Sequence, residues 1–403
     1  MRKFDGFKSR IDMLCVARNM LLVEMVAILV STSLAVGVEL LLYPLFLGSG
    51  VLRGRLKGTL SQPMVRMTLV WAGMLLLAVL YSVTPSVTLY SLGGWRKLLL
   101  LPMAAAVFDD EIWKRRLIWT LLLTVTLGVA LSYFSWFSGV AIRKFPPGIA
   151  IANHATQGMM FAVSLFVMAI LARYTKTIPA GLGWFLGSAG LTTIINLIYI
   201  TPGRSGYLAL LVLAVVAVFF LTPNRVRFVA VLATTLLVGA LLFFSPVASQ
   251  RIIQGVSEIT NYQKSAELTS MGVRRHMWNN TLKMIGKRPL LGLGTGGFSE
   301  GYRQQVAGLT GWQGQPVDDC HNQYLRIVAE QGLVGLLVFL GLLWSFFLQP
   351  VGMPYRVIGL GVLLAWCATS MFSAHFSTFL EGRFVYLWCG ALLARVDGTS
   401  SPV

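Results

Sequence analysis

The sequence predicts an all-α, polytopic membrane protein of about twelve transmembrane helices with one large helical loop. Two observations predict it. The 403-residue chain is 56 % hydrophobic and only 12 % charged, where a soluble globular chain carries about 25 % charged residues. Its apolar residues also run continuously over stretches of about 20, the length that spans a bilayer as a helix, and do not alternate as in a transmembrane β-barrel. A soluble enzyme, a disordered chain and a nucleic-acid-binding domain are excluded on the same grounds, despite a net charge of +18.

The basic N-terminus (Arg2, Lys3, Lys8, Arg10, Arg18) precedes an apolar stretch without a small-residue cleavage site, which reads as a retained first span. Residues 13–48 are too long for one straight span, and Ser31, Thr32 and Ser33 near their middle predict a tight hairpin of two. Apolar runs at 64–83, 88–107, 117–137, 149–171, 181–200, 205–222 and 226–245 bring the total to nine, and 324–348, 355–374 and 384–395 add three. The chain divides accordingly into spans over 1–245, a loop over 246–320, spans over 321–395 and a tail over 396–403.

Charge sets the orientation. With both termini in the cytoplasm, that side holds the N-terminal block, then Arg53, Arg55, Lys57 and Arg66, then Lys114, Arg115 and Arg116. Arg173 and Lys176, Arg225 and Arg227, Arg356 and Arg395 follow on the same side. The outer turns 84–88, 200–204 and 371–383 carry only Arg204 and Arg383, the positive-inside distribution. The outer loop breaks this pattern with Arg251, Lys264, Arg274, Arg275, Lys283, Lys287, Arg288 and Arg303 against Glu258, Glu267, Glu300, Asp318 and Asp319, and the 143–144 turn adds Arg143 and Lys144. Cations kept outside answer either to anionic membrane lipids or to a phosphorylated substrate.

Within the loop, Met271, Trp278, Leu282 and Ile285 recur at helical spacing, so 271–287 reads as an amphipathic helix ended by Pro289. The Gly-rich run 292–297 lacks the Lys-Ser/Thr of a P-loop and reads as a hinge. The loop is expected to be a helical cap too poor in apolar residues for its own core. The four cysteines (Cys15, Cys320, Cys367, Cys389) form no CxxC pair, which argues against a disulfide framework or zinc site.

His321-Asn322 opens the span after the loop. An imidazole at such a mouth either caps a helix or accepts a proton. Asp318 and Asp319 just before it either orient its ring or serve as the helix cap. Arg204, in Pro202-Gly203-Arg204-Ser205-Gly206, either snorkels to headgroups or is a positioned guanidinium. Arg274 and Trp278 are four residues apart on the loop helix, with Arg275 pointing about 100° away. His154 reads as packing, His276 as solvated, and His375 and Arg383 as able to line a cleft. Glu24 and Glu39 are membrane-embedded and read either as proton-relay groups or as lying near span ends, and midspan charge reads as sparse. One base candidate and two or three guanidinium candidates on one face suit transfer from a lipid-linked diphosphate, whose leaving group needs cations and whose acceptor hydroxyl needs a base.

The stretch His321-Asn322-x9-Gly332-x2-Gly335 resembles the signature of the bacterial O-antigen ligase and O-antigen polymerase superfamily. Arg274-x3-Trp278, leading to Pro289-Leu-Leu-Gly-Leu-Gly-Thr-Gly-Gly-Phe298, and Gly203-Arg204-Ser205 before a span are similar to the same pattern. The resemblance covers most of the chain. It implies a GT-C-like membrane glycosyltransferase of the bacterial inner membrane, acting at the periplasmic face without metal or nucleotide cofactor. The implied donor is an undecaprenyl diphosphate-linked O-antigen and the implied acceptor a sugar hydroxyl of the lipid A core. Arg204 and Arg274, with Arg275 as the alternative, would bind the diphosphate, and His321 would activate the acceptor in an inverting displacement, supported by Asn322, Asp318, Asp319 and Trp278. The rivals are an O-antigen polymerase and a protein O-oligosaccharyltransferase, which share the donor, and a transporter or flippase outside the superfamily.

Overall fold

A computed structural model describes residues 12–175, 179–260 and 270–395. Arg2, Lys3, Lys8, Arg10, Lys176, Lys264, Glu267 and the 396–403 tail lie outside the described residues. The described secondary structure is helical throughout.

α1 (Met13–Val30) and α2 (Thr32–Gly48) meet at Ser31, whose extended backbone ends one helix and whose hydroxyl accepts from the Leu34 N–H to start the next. The two pack along each other, so the expected hairpin forms. A 91° bend then leads into α3 (Gly50–Thr59), the helix that carries Arg53, Arg55 and Lys57. α4 (Pro63–Leu77) starts on a proline, whose missing N–H has no helical partner to lose there. The single span expected over 88–107 is broken: α5 (Pro85–Trp95) passes through a 3-10 turn at Arg96–Leu99 into α6 (Leu100–Val107).

Next come α7 (Glu111–Ser138), α8 (His154–Tyr174), α9 (Ala180–Tyr199), α10 (Arg204–Leu221) and α11 (Arg227–Phe244). Asp110 and Asn153 cap α7 and α8 by accepting from backbone N–H groups of their first turns. The loop contributes α12 (Pro246–Thr260), α13 (Ser270–Lys287) and α14 (Phe298–Gln305). α15 (Gln323–Phe347), α16 (Tyr355–Thr369) and α17 (Phe379–Leu392) follow. Among the described residues, seven helices, α1, α7 to α11 and α15, are long and apolar enough to cross a membrane, and the chain is a multi-pass membrane protein. The other five expected spans are shorter, bent or broken helices: α2 with α3, α4, α5 with α6, α16 and α17.

α10 lies at the centre, packed on α8, α16 and α11, while α15 lies on α4 and α17 on α6. A Cβ on Gly206 of α10 would stand 2.6 Å from the Gly158 Cα of α8, a backbone approach that only glycine permits.

Buried charge is more extensive than the sequence reading expects. Glu39 is not near a span end; it is 1 % exposed in the middle of α2 and accepts from Arg383 Nε at 2.7 Å and Nη2 at 2.9 Å and from Arg96 Nε at 3.1 Å. Glu24, inside α1 and not at its end, is fully buried as well. Lys97 donates to the carbonyls of Ser377 and Thr378. These pairings explain why an apolar run can hold two adjacent cations, and why it breaks there: a buried charge is tolerated where partners surround it. At the opposite end of α1, Arg18 bridges Asp109 (2.6 Å) and Asp110 (2.7 Å), and Arg55 pairs with Asp109.

Candidate functional site

The site grows from the first turn of α15. The Asn322 side-chain oxygen accepts from the N–H groups of Tyr324 (3.0 Å) and Leu325 (3.1 Å), so Asn322 is the helix cap rather than Asp318 or Asp319. His321 precedes it with φ of 53°, a left-handed conformation uncommon for a residue with a side chain. Its N–H donates to Asp319 Oδ1 at 3.0 Å, and its Nδ1 lies 3.9 Å from Asp319 Oδ2. Asp319 thus fixes the backbone that carries the ring and also faces the ring. The His321 side chain is 49 % exposed, open to a substrate; Asp318 is exposed.

A turn over 370–378 holds this mouth from the side. Asn322 Nδ2 donates to the Met371 carbonyl at 3.0 Å, and the Gln323 N–H donates to the Ser370 carbonyl at 2.9 Å. The Gln323 Oε1 accepts from the Phe376 N–H at 3.1 Å, and Lys97 grips the same turn from beneath. His375 does not line an open cleft: it is 3 % exposed inside this turn. Burial holds its imidazole below the ordinary value, against the opposing charges of Glu381 and Asp319.

α13 is the amphipathic helix expected over 271–287. Its Met277 and Met284 pack with Phe298, Tyr302, Val306, Cys320 and Ala329. The loop therefore has a small core, completed by Ala329 of α15, where none was expected. Trp278 Nε1 donates to the Cys320 carbonyl at 2.9 Å and its ring lies 6.2 Å from Phe372. That one side chain ties α13 both to the residue before His321 and to the 370–378 turn. Arg274, one turn earlier, is partly buried with Nη1 3.6 Å from Met271 Sδ, and Arg275 is exposed. His276 is not simply solvated; its Nε2 lies 3.0 Å from the Gln313 carbonyl and 2.9 Å from Asn280 Nδ2. Burial, then the charge of Asp319, pushes the Cys320 thiol up to about 12.

The Gly-rich run is a seated segment and not a hinge. α15 is interrupted at Gly332, and the carbonyls this frees at Ala329 and Glu330 accept from the N–H groups of Leu293 (2.9 Å) and Gly294 (2.8 Å). The Leu333 N–H in turn donates to the Pro289 carbonyl at 2.9 Å. On its other side the run meets the end of α4: the Thr295 N–H donates to the Ala78 carbonyl, and its hydroxyl to that of Leu75 at 2.8 Å. Irregular backbone within a membrane protein needs this kind of internal satisfaction.

Arg204 is the first residue of α10, and its Nε donates to the Arg251 carbonyl of α12 at 3.1 Å. Gly203 before it lies against the His154 carbonyl, 2.5 Å from where a Cβ would be. The candidates thus form two groups. His321, Asn322, Asp319, Trp278 and Arg274 belong to the α13–α15 group, Arg204 to the α10–α12 group, and α12 packs on both α10 and α13. Sequence reasoning missed Gln323 and Lys97, although two adjacent cations inside an apolar run were a usable signal. Among the described residues, no three His, Cys, Asp or Glu side chains gather as metal ligands.

Comparison with known proteins bears on this region. The chain is 22 % identical over 253 residues to an uncharacterized protein of Haemophilus influenzae, an alignment covering 61 % of this chain and 62 % of the relative. Residues 189–340 match the family model described as O-antigen ligase. That segment runs from α9 through the loop to the far side of the α15 break, and over it the chain is similar to the O-antigen ligase family.

Proposed function

We propose that the chain transfers a glycan from undecaprenyl diphosphate to a sugar hydroxyl of the lipid A core, as a GT-C-like enzyme at the periplasmic face of the bacterial inner membrane. The loop, 246–320, then lies in the periplasm and the termini in the cytoplasm. The observation that carries this reading is the seating of His321. A half-exposed imidazole faces Asp319 at the mouth of a span, within the stretch 189–340 that also contains Arg204, Arg274 and Arg275.

In the proposed reaction the acceptor oxygen attacks the anomeric carbon from the face opposite the diphosphate. A carbon–oxygen bond forms to the acceptor as the bond to the leaving diphosphate breaks, so the anomeric centre inverts. The acceptor proton passes to the His321 nitrogen that does not face Asp319, and Asp319 stabilises the imidazolium that results. Arg204 and Arg274, with Arg275 beside it, take up the charge of the released diphosphate through planar, bidentate contacts. Asn322 and Trp278 support the site by fixing the backbone on either side of His321. The step needs no metal or other cofactor.

The test is reconstitution of pure protein with lipid-linked glycan and separate acceptors. Product on lipid A core supports the reading. Longer lipid-linked chains identify a polymerase, glycosylated protein identifies a protein O-oligosaccharyltransferase, and lipid flux without product identifies a transporter.

A further inference from the structure

A cavity of about 310 Å³ opens beside the candidate site, between the α1–α2 hairpin, the 143–153 segment and the start of α17. Its position follows from contacts already described. Asn153 lines it, and the next residue, His154, presents the carbonyl on which Gly203 and hence Arg204 rest. Leu380 also lines it, two residues beyond the Lys97-bound turn that holds Asn322, the residue after His321. The cavity is therefore lined by segments that continue directly into the contacts of both groups of candidate residues.

Its lining is chemically mixed. Arg143 is held in place by two neutral acceptors: Nε donates to the Ala150 carbonyl at 2.8 Å and Nη2 to the Val30 carbonyl at 2.6 Å. Carbonyls orient a guanidinium without cancelling its charge, so the wall keeps a fixed positive site. Ser31, Thr32 and Asn153 add hydroxyl and amide groups, and Phe145 adds a ring. Ile28, Leu29, Val30 and Leu380 supply an apolar side. A cation, several hydrogen-bonding groups, an aromatic face and an aliphatic wall in one cavity match an anionic sugar headgroup carried on a lipid. A bare phosphate would leave the ring and the aliphatic wall without a role.

We infer that this cavity is the subsite for the acceptor, a glycolipid with a phosphorylated or carboxylated sugar headgroup, with Arg143 on the anionic group and Phe145 against a sugar ring. The assignment rests on the glycan-transfer reading and adds to it the place where the acceptor is recognised.

The experiment measures binding and transfer separately, with full-length protein in nanodiscs. The binding probe is a bisphosphorylated, acylated glucosamine disaccharide, compared with its dephosphorylated form and with phosphatidylglycerol. Wild type should prefer the phosphorylated disaccharide over both. Arg143→Ala should lose that preference, on the order of tenfold, and Arg143→Lys should keep part of it. Phe145→Leu, which leaves the Arg143 contacts in place, should weaken both disaccharides alike. In transfer assays the variants should raise the acceptor KM and leave the donor KM unchanged. An unchanged preference in Arg143→Ala overturns the inference, as does unchanged affinity for both disaccharides in Phe145→Leu, equal binding of phosphatidylglycerol or an effect confined to the donor KM. Selective disaccharide binding without any transfer would instead overturn the glycan-transfer reading and leave the site standing.

Discussion

The carbonyl oxygen of Leu290 occupies the space in which a side chain on Gly332 would begin: a Cβ there would lie 2.0 Å from it. The same carbonyl accepts from the Val334 N–H at 3.3 Å, and Gly332 itself has φ of 68° and ψ of −171°. Gly332→Ala should therefore cost about 1–3 kcal/mol for a backbone conformation that essentially only glycine adopts, and more for displacing Leu290. The expected result is a lower melting temperature in detergent and faster proteolysis within 288–297. Gly37→Ala, at a helix position with open space around the added Cβ, is the control and should melt no lower than wild type. Equal melting of the two variants would mean that the loop is not anchored through the α15 break.

The apolar helices were legible because long apolar runs are a property of local sequence. So was α13 as a helix, but not its buried face, which runs through Met277, Thr281 and Met284 while Leu282 of the expected face is 52 % exposed. The break in α5–α6 was not legible, because Lys97 finds its acceptors on Ser377 and Thr378, far along the chain. The same holds for the Gly-rich run: its partners on Ala329 and Glu330 exist only after α15 folds against it. At the candidate site, the place of His321 and Asn322 at the start of a helix could be read from the sequence. The clamping of Asn322 and Gln323 by the 370–378 turn is tertiary and could not.

Arg204 and Arg274 differ in support, one tied to the Arg251 carbonyl and the other partly buried beside Met271. If both hold the donor diphosphate, Arg204→Ala and Arg274→Ala should each raise the donor KM roughly ten- to a hundredfold, the effect of losing a hydrogen bond to a charged group. Lysine at either position should recover little, because it keeps the charge but not the planar fork. Donor titrations against a fixed acceptor concentration decide it. Unchanged donor KM in both alanine variants removes them from the diphosphate site.

His321 is connected to its surroundings chiefly through its backbone N–H to Asp319, with the ring half-exposed. Replacing the ring should thus leave the fold intact. His321→Asn is the better variant than alanine, since asparagine tolerates the left-handed backbone. The expected loss in transfer is about 10²–10⁴-fold, the range for removing a general base, with an unchanged melting temperature. Wild-type transfer by His321→Asn would end the base assignment.

His375 gives the 370–378 turn a pH dependence. Its folded-state ring is held neutral by burial, with Glu381 and Asp319 pulling the other way. The unfolded chain takes up the proton near the ordinary value of about 6.5, while the folded chain resists until lower pH. In that window the unfolded state binds more protons, so stability rises with pH and is lost as pH falls below about 6.5. Melting curves at neutral and mildly acidic pH should show the drop in wild type, and a smaller one in His375→Leu. An identical pH profile for the two would show that this ring does not titrate with unfolding.

Glu39 and Arg383 are 1 % and 2 % exposed and joined by two hydrogen bonds. A buried pair of this kind adds little relative to a well-packed apolar pair, but removing one member strands the other charge, at a cost of about 3–5 kcal/mol. Glu39→Ala is expected to be the worse of the two single variants, because Arg96 also loses its carboxylate, leaving two guanidinium groups instead of one carboxylate. Arg383→Met leaves Glu39 with Arg96 at 3.1 Å and should cost less. The double variant Glu39→Leu with Arg383→Met should recover part of the loss over Glu39→Ala, with Arg96 still able to reach solvent at 38 % exposure. Folded yield and melting temperature of the three, measured side by side in detergent, test this order. Glu39→Ala melting with wild type would mean that the network does not hold α2 against α17.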